Sequence, residues 1–207
     1  TTMVYVGGAV ISLYIDDPLA DELRTTNDID MTVTLSTYGE WVKLQDRLLQ
    51  LGFSPDPEGH SICSFLYKGI LIDLIPSEDS PIGKSNSWYK PGFQYLQSVA
   101  VNDQTIQILS TPYFIATKFE AFHDRGGGDY RSSHDFEDII YVMDNKLGIV
   151  DDILSADPTV KSFIIKEFDE ILSGPYAEEI LSAHLHPSMV SERYPMMINK
   201  IKTIVGN

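Results

Sequence analysis

The sequence predicts an α+β protein in which strands and helices fill residues 1–110 and helices alone fill residues 111–207. Before position 110, short β-branched and aromatic runs alternate with glycine, proline and asparagine, as in strands joined by turns. After that position, apolar residues recur three and four places apart, which is the period of a helix. Because 43% of the 207 residues are apolar, the chain is able to bury a core, and a disordered protein is excluded.

The chain begins with two predicted strands, separated by a glycine pair, a helix and a loop. Met3–Val6 is short and apolar, and it runs directly into Gly7 and Gly8. A helix is predicted over Ala9–Tyr14, and a loop follows it. Asp28–Leu35 alternates strictly between polar and apolar residues, so we predict a strand with one polar face.

The remainder of the first half predicts one long helix, a hairpin and a further strand. Tyr38–Leu51 is predicted to be a helix with Trp41, Leu44, Leu48 and Leu51 on one face, and Gly52 is suited to end it. Ile62–Tyr67 and Ile70–Ile75 flank a lysine-glycine pair, which is typical of a hairpin turn. Thr105–Leu109 is predicted to be the last strand.

The second half is predicted to be a series of helices. Thr111 is suited to cap a helix in which Pro112 takes the first position, and this helix is expected to run to about His123. Ser133–Asp144 shows the apolar spacing of a second helix. Further helices are predicted at about 147–155, 158–172, 175–184 and 189–205.

Composition excludes several classes of protein. The 30 acidic and 15 basic residues give a formal net charge of −15, which argues against nonspecific coating of nucleic acid. Cys63 is the single cysteine, so a disulfide framework and a cysteine-based zinc site are excluded, and a cytoplasmic location is expected. No apolar run has the length of a membrane span, and no signal peptide is recognisable.

Three aspartates carry the chemical signal. Asp28 and Asp30 lie two positions apart on a predicted strand, so their side chains point the same way from Cα atoms about 7 Å apart. Two adjacent anions repel each other unless a cation lies between them, and Mg²⁺ prefers carboxylates together with phosphates and water. Asp73 lies within an apolar run, where an unpartnered carboxylate would cost several kcal/mol. If the two strands are neighbours, all three acids converge at one edge of the sheet.

Other interpretations of these residues remain open at this point. Asp28 and Asp30 would also suit a solvated strand face, and Asp73 would suit a backbone turn. Gly7 and Gly8 lie between a strand and a helix, where backbone amides bind phosphate, although a glycine pair also simply allows close packing. The three acids together with the glycine pair favour a metal site.

A resemblance to a known family rests on two groups of residues. Val6-Gly7-Gly8-Ala9-Val10, Thr26-Asn27-Asp28-Ile29-Asp30 and the strand residue Asp73 resemble the pattern of DNA-polymerase-β-type nucleotidyltransferases. The second half narrows this resemblance to the AbiEii/AbiGii toxin-type nucleotidyltransferases, through the segments Phe114–Phe122, Arg125–Asp129 and His134–Asp138. The common serine at the second position of the glycine motif is replaced here by Gly8, so no hydroxyl is available there to contact phosphate.

The resemblance implies a fold, an activity and a set of partners. The fold is a nucleotidyltransferase palm, a mixed sheet with flanking helices over residues 1–110, followed by a helical domain over 111–207 that closes the nucleotide site. The activity is Mg²⁺-dependent transfer of an NMP from an NTP to a hydroxyl of RNA such as tRNA, of a protein or of a small molecule. A role as the toxin of a toxin–antitoxin pair, with an antitoxin partner, also follows. The alternative is a non-catalytic nucleotide- or partner-binding module.

The resemblance also implies roles for individual residues. Two Mg²⁺ ions are expected, and the implied metal ligands, which also act in catalysis, are Asp28, Asp30 and Asp73. Lys118 is expected to act in catalysis by binding phosphate. The implied nucleotide-binding residues are Gly7, Gly8, Thr26, Lys118 and Asp135.

The residues of the second half allow structural interpretations as well. Lys118 flanks an apolar stripe and would suit a surface lysine with a partly buried stem. Asp135 would complete a helix capping box with Ser132, or would position Lys118. The densest basic cluster is a candidate phosphate or nucleic-acid contact, or simply solubilising charge; it contains His123, Arg125, Arg131 and His134. Trp88 and Tyr89 would stack a base or, as we favour, pack on the core.

Overall fold

The computed structural model describes residues 2–35, 37–58, 63–80, 82–125 and 128–206. The chain falls into two compact units. The first contains the chain up to Val10 together with Arg24–Ser110, and the second contains Ile11–Leu23 together with the chain from Thr111 onward. The segment Ile11–Leu23 therefore groups with the helical unit, although it lies within the range 1–110 predicted for the first domain. Within the described ranges, no helix combines the length and apolarity that crossing a membrane requires.

The first unit is built on a mixed sheet. Its seven described strands are β1 (Met3–Val6), β2 (Asp28–Val33), β3 (Ser54–Pro55), β4 (Ser64–Tyr67), β5 (Ile70–Pro76), β6 (Leu96–Val101) and β7 (Gln104–Leu109). They lie side by side in the order β3-β4-β5-β2-β1-β7-β6. The pairs β2–β5 and β1–β7 are parallel, and the other neighbours are antiparallel. Together with the helices that follow the sheet in the chain, this architecture confirms the predicted α+β class.

One long helix covers the core of this unit. Helix α1 (Tyr38–Gln50) begins with a capping box, in which Thr37 and Glu40 satisfy each other's backbone N–H groups. It buries Trp41 and Leu48 in a cluster with apolar residues of β2, β4 and β5. Burying apolar side chains of this size stabilises a fold by about 1.5–3 kcal/mol each. The predicted helix is confirmed, although Leu51, predicted on its buried face, is half exposed.

The hairpin predicted before Ile75 is also confirmed. Strands β4 and β5 pair antiparallel, and the turn places Lys68 and Gly69 at φ values of 52° and 83°. Positive φ at both central residues is the mark of the tight hairpin turn that matches strand twist. Ile62, the predicted first residue of the hairpin, lies outside the described residues.

Three short elements are not predicted from the sequence: strands β3 and β6, and a short helix, α2 (Tyr89–Gly92). β6 occupies the edge of the sheet and carries few buried side chains, so its sequence lacks the apolar alternation of an inner strand. Tyr89 is buried, in agreement with the interpretation that the aromatic pair packs on the core. The predicted helix after Gly7 is a 3₁₀ helix over Gly8–Tyr14.

The second unit is helical, as predicted. Its helices are α3 (Thr111–Asp124), α4 (His134–Asn145), α5 (Ile149–Leu154), α6 (Pro158–Ser173), α7 (Ala177–Ser182) and α8 (Val190–Val205), with a 3₁₀ turn at Tyr130–Ser132. Phe119 lies at its centre, with ring centroids 5.3 Å from Phe168 and 6.3 Å from Phe136. All three side chains are fully buried, which explains why the apolar spacing of these helices was readable in the sequence.

Arg193 and Lys200 of α8 bind the early segment and the end of α4 within this unit. The Arg193 guanidinium donates to Asp17, Asp144 and Asn145 at 3.1–3.3 Å. Lys200 Nζ donates to three carbonyl oxygens at the carboxyl end of α4, at 2.8–3.2 Å. Burial lowers the pKa of Lys200, and the neighbouring Asp144 opposes that shift. The contact between Arg193 and Asp17 joins the segment Ile11–Leu23 to α8.

Two predicted caps in this unit are wrong. Thr111 is itself the first residue of α3, and its buried hydroxyl makes no hydrogen bond within the described part of the chain. Ser133 rather than Ser132 caps α4, because its hydroxyl accepts from the Phe136 amide. Ser132 instead donates to Asp129. Because Ser133 is the N-cap, Asp135 is the second residue of α4 and does not take the position that a capping box requires.

Thr32 provides a stability prediction for the first unit. Its side chain is fully buried in β2, and its hydroxyl has no hydrogen-bond partner among the described residues. Because an unsatisfied buried hydroxyl is costly, we expect Thr32→Val to raise the free energy of unfolding by about 1 kcal/mol. Urea unfolding measures this change.

The matched control is Thr117→Val. The Thr117 hydroxyl is buried too, but it donates to the Phe114 carbonyl oxygen at 2.7 Å. Removing it is expected to lower the free energy of unfolding by about 1 kcal/mol. A Thr32→Val protein that unfolds at lower urea concentration than the wild type would contradict the prediction.

Candidate functional site

Asp28, Asp30 and Asp73 meet at one place on the sheet. Strand β2 runs parallel to β5, and the register places Asp30 directly beside Asp73. One carboxylate oxygen from each acid lies within 4.8 Å of one from each of the other two. All three side chains are half-buried. Because β2 and β5 are neighbours, the three acids converge at the sheet as predicted.

Strand alternation explains why an acid occurs within the apolar run of β5. Ile72 and Leu74 are buried and pack in the core under α1, so the residue between them must point to the other face. Asp73 is that residue, and it is half-buried rather than enclosed. Its Oδ1 accepts a hydrogen bond from the Ser64 hydroxyl at 2.5 Å.

The glycine turn lies against the same group of acids. Gly7 follows β1, which pairs with β2, and its φ of +73° is a conformation that other residues rarely adopt. A Cβ atom at this position would lie 2.0 Å from Asp30 Oδ2. A backbone with no side chain is thus required for the turn to approach the Asp30 carboxylate so closely.

Gly8 has a separate steric reason to be glycine. A Cβ atom there would lie 2.6 Å from the Thr26 methyl group and 3.0 Å from a terminal nitrogen of Arg24. A serine at this position would therefore collide with Thr26. Arg24 places a guanidinium beside the glycine turn, and the sequence analysis missed it because a single arginine in an irregular loop has no diagnostic spacing.

The Gly7 geometry leads to a prediction with a matched control. Gly7→Ala is expected to weaken divalent-cation binding as measured by calorimetry, because the new methyl group must displace the Asp30 carboxylate. Gly69→Ala is the control, since Gly69 also has a positive φ but no atom within 4 Å of the added Cβ. Both variants should lose about 1–3 kcal/mol of stability from backbone strain. Equal cation affinity in the two variants would contradict the prediction.

Lys118 and Asp135 belong to a buried ionic cluster in the second unit. Lys118 Nζ lies 2.7 Å from Asp138 Oδ2 and 3.2 Å from Asp135 Oδ1, and all three side chains are at most 8% exposed. The Nε atom of Arg125 lies 3.3 Å from the other oxygen of Asp135, while its side chain remains exposed. Asp135 thus contacts Lys118, which agrees with the interpretation that Asp135 positions Lys118. The phosphate contact of Lys118 and the nucleotide contact of Asp135 stay predictions.

The predicted basic cluster carries no excess of positive charge. Each of its members lies beside a carboxylate: Arg125 beside Asp135, Arg131 beside Asp129 and Glu179, His134 beside Glu137, and His123 beside the buried Glu167. The side-chain hydrogen bonds to Glu179 and Asp129 raise the pKa of Arg131. Local charge compensation therefore describes this cluster better than a phosphate-binding surface.

The three acids and the glycine turn fit a divalent metal ion. Mg²⁺ binds carboxylate oxygens, and each of the three residues offers one such oxygen within 4.8 Å of the other two. Three anions at this separation repel each other in the absence of a cation. A cavity of about 220 Å³ borders Asp73, with Ile75, Ile82 and Lys84 among its lining residues. Neither Asp28 nor Asp30 lines that cavity.

Among solved structures, the chain is similar to an antigenic nucleotidyltransferase-like protein from Paracoccidioides brasiliensis. The sequence identity is 19%, the TM-score is 0.48, and the similarity covers 91% of this chain and 87% of that one. The sequence matches no protein-family model and no curated protein.

Proposed function

We propose that the protein is an Mg²⁺-dependent nucleotidyltransferase that moves an NMP from an NTP to a hydroxyl group. The proposal rests mainly on the convergence of Asp28, Asp30 and Asp73 beside a glycine turn. A side chain at Gly7 would collide with the Asp30 carboxylate. Three acids gathered beside a glycine turn suit a metal–triphosphate ligand, because backbone amides in such turns bind phosphate. Three carboxylates at this separation repel each other, and a bound cation would offset that repulsion.

The chain's own residues account for binding and for the transfer step. The Gly7–Gly8 turn and the Arg24 guanidinium hold phosphate oxygens, while Asp28, Asp30 and Asp73 would hold Mg²⁺. The acceptor oxygen forms a bond to the α-phosphorus, the bond to the β-phosphate oxygen breaks, and pyrophosphate leaves. Asp73 takes the acceptor's proton. When bound, Mg²⁺ would supply neutralising charge for the phosphates and the leaving group.

The cavity beside Asp73 suits the acceptor. Because it borders Asp73, an acceptor hydroxyl placed there would lie next to the proposed base. The net charge of −15 favours a cationic small molecule or a local contact with RNA over an extended nucleic-acid interface. RNA such as tRNA, a protein and a small molecule all remain acceptors to be tested.

The resemblance to the AbiEii/AbiGii type supports a more specific proposal. The family is named for its toxins, so a toxin role and an antitoxin partner are proposed here. Lys118 is proposed to contact phosphate, and Asp135 is proposed to position it, which agrees with their contact in the second unit. Growth arrest on expression of the wild type but not of Asp73→Asn would support the toxin role.

Transfer is tested directly with labelled nucleotides. Each NTP, labelled at the α- or at the γ-phosphate, is incubated with the protein and Mg²⁺, and with total cellular RNA, protein or a pool of small molecules. We expect the α-label and not the γ-label to appear in one acceptor. At saturating NTP and Mg²⁺, Asp73→Asn should lower the rate about 10²–10⁴-fold, the contribution of a general base.

The control is Asp103→Asn, which makes the same change of charge in the exposed turn between β6 and β7. It is expected to transfer at the wild-type rate. Wild-type turnover in Asp73→Asn would contradict the role of Asp73. Binding of NTP without transfer to any acceptor would instead identify a non-catalytic binding module.

A further inference from the structure

Ser64 is the hydrogen-bond donor to the third acid of the cluster. It lies in β4 directly opposite Asp73 of β5, in the antiparallel register of the hairpin. Its side chain is 3% exposed, and its hydroxyl donates to Asp73 Oδ1 at 2.5 Å. The tight turn after β4 fixes this register, so the pairing of hydroxyl and carboxylate is set by the backbone.

The hydrogen bond restrains a group that would otherwise turn away from its neighbours. A carboxylate rotates freely about its last bond, and Asp28 and Asp30 repel it when no cation is bound. A short O–H···O⁻ bond is among the stronger hydrogen bonds in proteins, and it fixes the plane of the carboxylate. It uses one of about four acceptor positions, so the remaining positions stay available to a cation.

We propose that Ser64 is a positioning residue, which holds the Asp73 carboxylate in the orientation that binds a divalent cation together with Asp28 and Asp30. This inference rests on the metal site of the proposed function. Ser64 acts through Asp73 and does not itself contact the cation. Because the partners of metal ligands orient those ligands, their removal typically costs about 10- to 100-fold in metal affinity.

Direct binding of Mn²⁺ by the full chain, without nucleotide, tests the inference. Free Mn²⁺ is followed by its electron paramagnetic resonance signal in the wild type, Ser64→Ala, Ser64→Thr and Thr32→Val. Ser64→Thr keeps the hydroxyl and suits a strand. Thr32→Val also removes a buried hydroxyl from the sheet, but one that bonds to nothing within the described residues.

We expect Ser64→Ala to bind Mn²⁺ about 10- to 100-fold more weakly than the wild type. Ser64→Thr and Thr32→Val should stay within about threefold of the wild type. Ser64→Thr keeps a hydroxyl that can donate to Asp73, and Thr32→Val leaves the Ser64 hydroxyl in place. The melting temperature of metal-free Ser64→Ala should lie within about 4 °C of the wild type. If Ser64→Ala is folded and binds Mn²⁺ more weakly, the role of Ser64 is not confined to stability.

Three results would overturn the inference. Unchanged Mn²⁺ affinity in Ser64→Ala would show that the hydrogen bond does not position Asp73. Equal weakening in Ser64→Thr would assign the effect to packing instead of to the hydroxyl. If the wild type bound no Mn²⁺, the metal site of the proposed function would fail and this inference with it, an outcome distinct from the first two.

Discussion

Replacing Asp30 with asparagine is expected to abolish Mg²⁺-dependent binding of NTP. Asp30 lies beside Asp73 in the β2–β5 register, and Gly7 approaches it more closely than any side chain would allow. Since the loss of a partner outside the ligand shell costs about 10- to 100-fold, the loss of a proposed ligand should exceed about 100-fold. Calorimetric titration of NTP with and without Mg²⁺ measures the effect.

Stability should change in the opposite direction. Because three carboxylates this close repel each other, metal-free Asp30→Asn is expected to be at least as stable as the metal-free wild type. A functional site commonly lowers the stability of the protein that carries it. An acid retained for a structural role would instead cost stability when replaced, so urea unfolding separates the two explanations.

Asp103→Asn serves again as the control, because it removes one negative charge away from the acids of β2 and β5. It should leave NTP affinity unchanged. Wild-type affinity in Asp30→Asn, measured beside this control, would show that the acids do not form the nucleotide–metal site.

Replacing Lys118 with methionine is expected to destabilise the second unit by about 3–5 kcal/mol. The ammonium lies 2.7 Å from Asp138 and 3.2 Å from Asp135, and all three side chains are almost fully buried. Methionine keeps the volume of the stem but removes the cation, so two buried carboxylates lose their shared partner. Thermal and urea unfolding measure the loss.

Two variants check that explanation. Lys166→Met removes an exposed lysine that lies 3.4 Å from Glu170, and a surface pair of this kind contributes at most about 1 kcal/mol. Adding Asp138→Asn to Lys118→Met should recover part of the lost stability, because one buried charge is then removed. A Lys118→Met protein as stable as Lys166→Met would show that the buried cluster does not stabilise the unit.

The three acids could be predicted because strand alternation is visible in a single sequence. The polar face of β2 places Asp28 and Asp30 together, and the interruption of an apolar run identifies Asp73. Their convergence remained conditional, because it depends on which strands are neighbours. The structure shows that β2 and β5 are hydrogen-bonded neighbours. The 36 residues that separate the two strands contain no local pattern that predicts this pairing.

Other contacts left no signal that could be read in advance. Arg24 lies in an irregular loop, and Ser64 is an ordinary serine on a short strand, so neither residue type nor spacing marks them. Lys118 was interpreted from its own helix, which suggested a partly buried stem with its charge at the surface. The charge is buried instead, because α4 supplies two carboxylates from 17 and 20 positions further along the chain.

Local patterns were enough to predict the α+β class, most of the helices and strands, and the three acids, because periodicity and turn chemistry act over a few neighbouring residues. Four features depend on the three-dimensional structure: which strands pair, the approach of Gly7 to Asp30, the hydrogen bond from Ser64 to Asp73, and the place of residues 11–23 with the helices. These are contacts between distant parts of the chain. Their free energy depends on how the whole of a unit packs, which no local pattern contains.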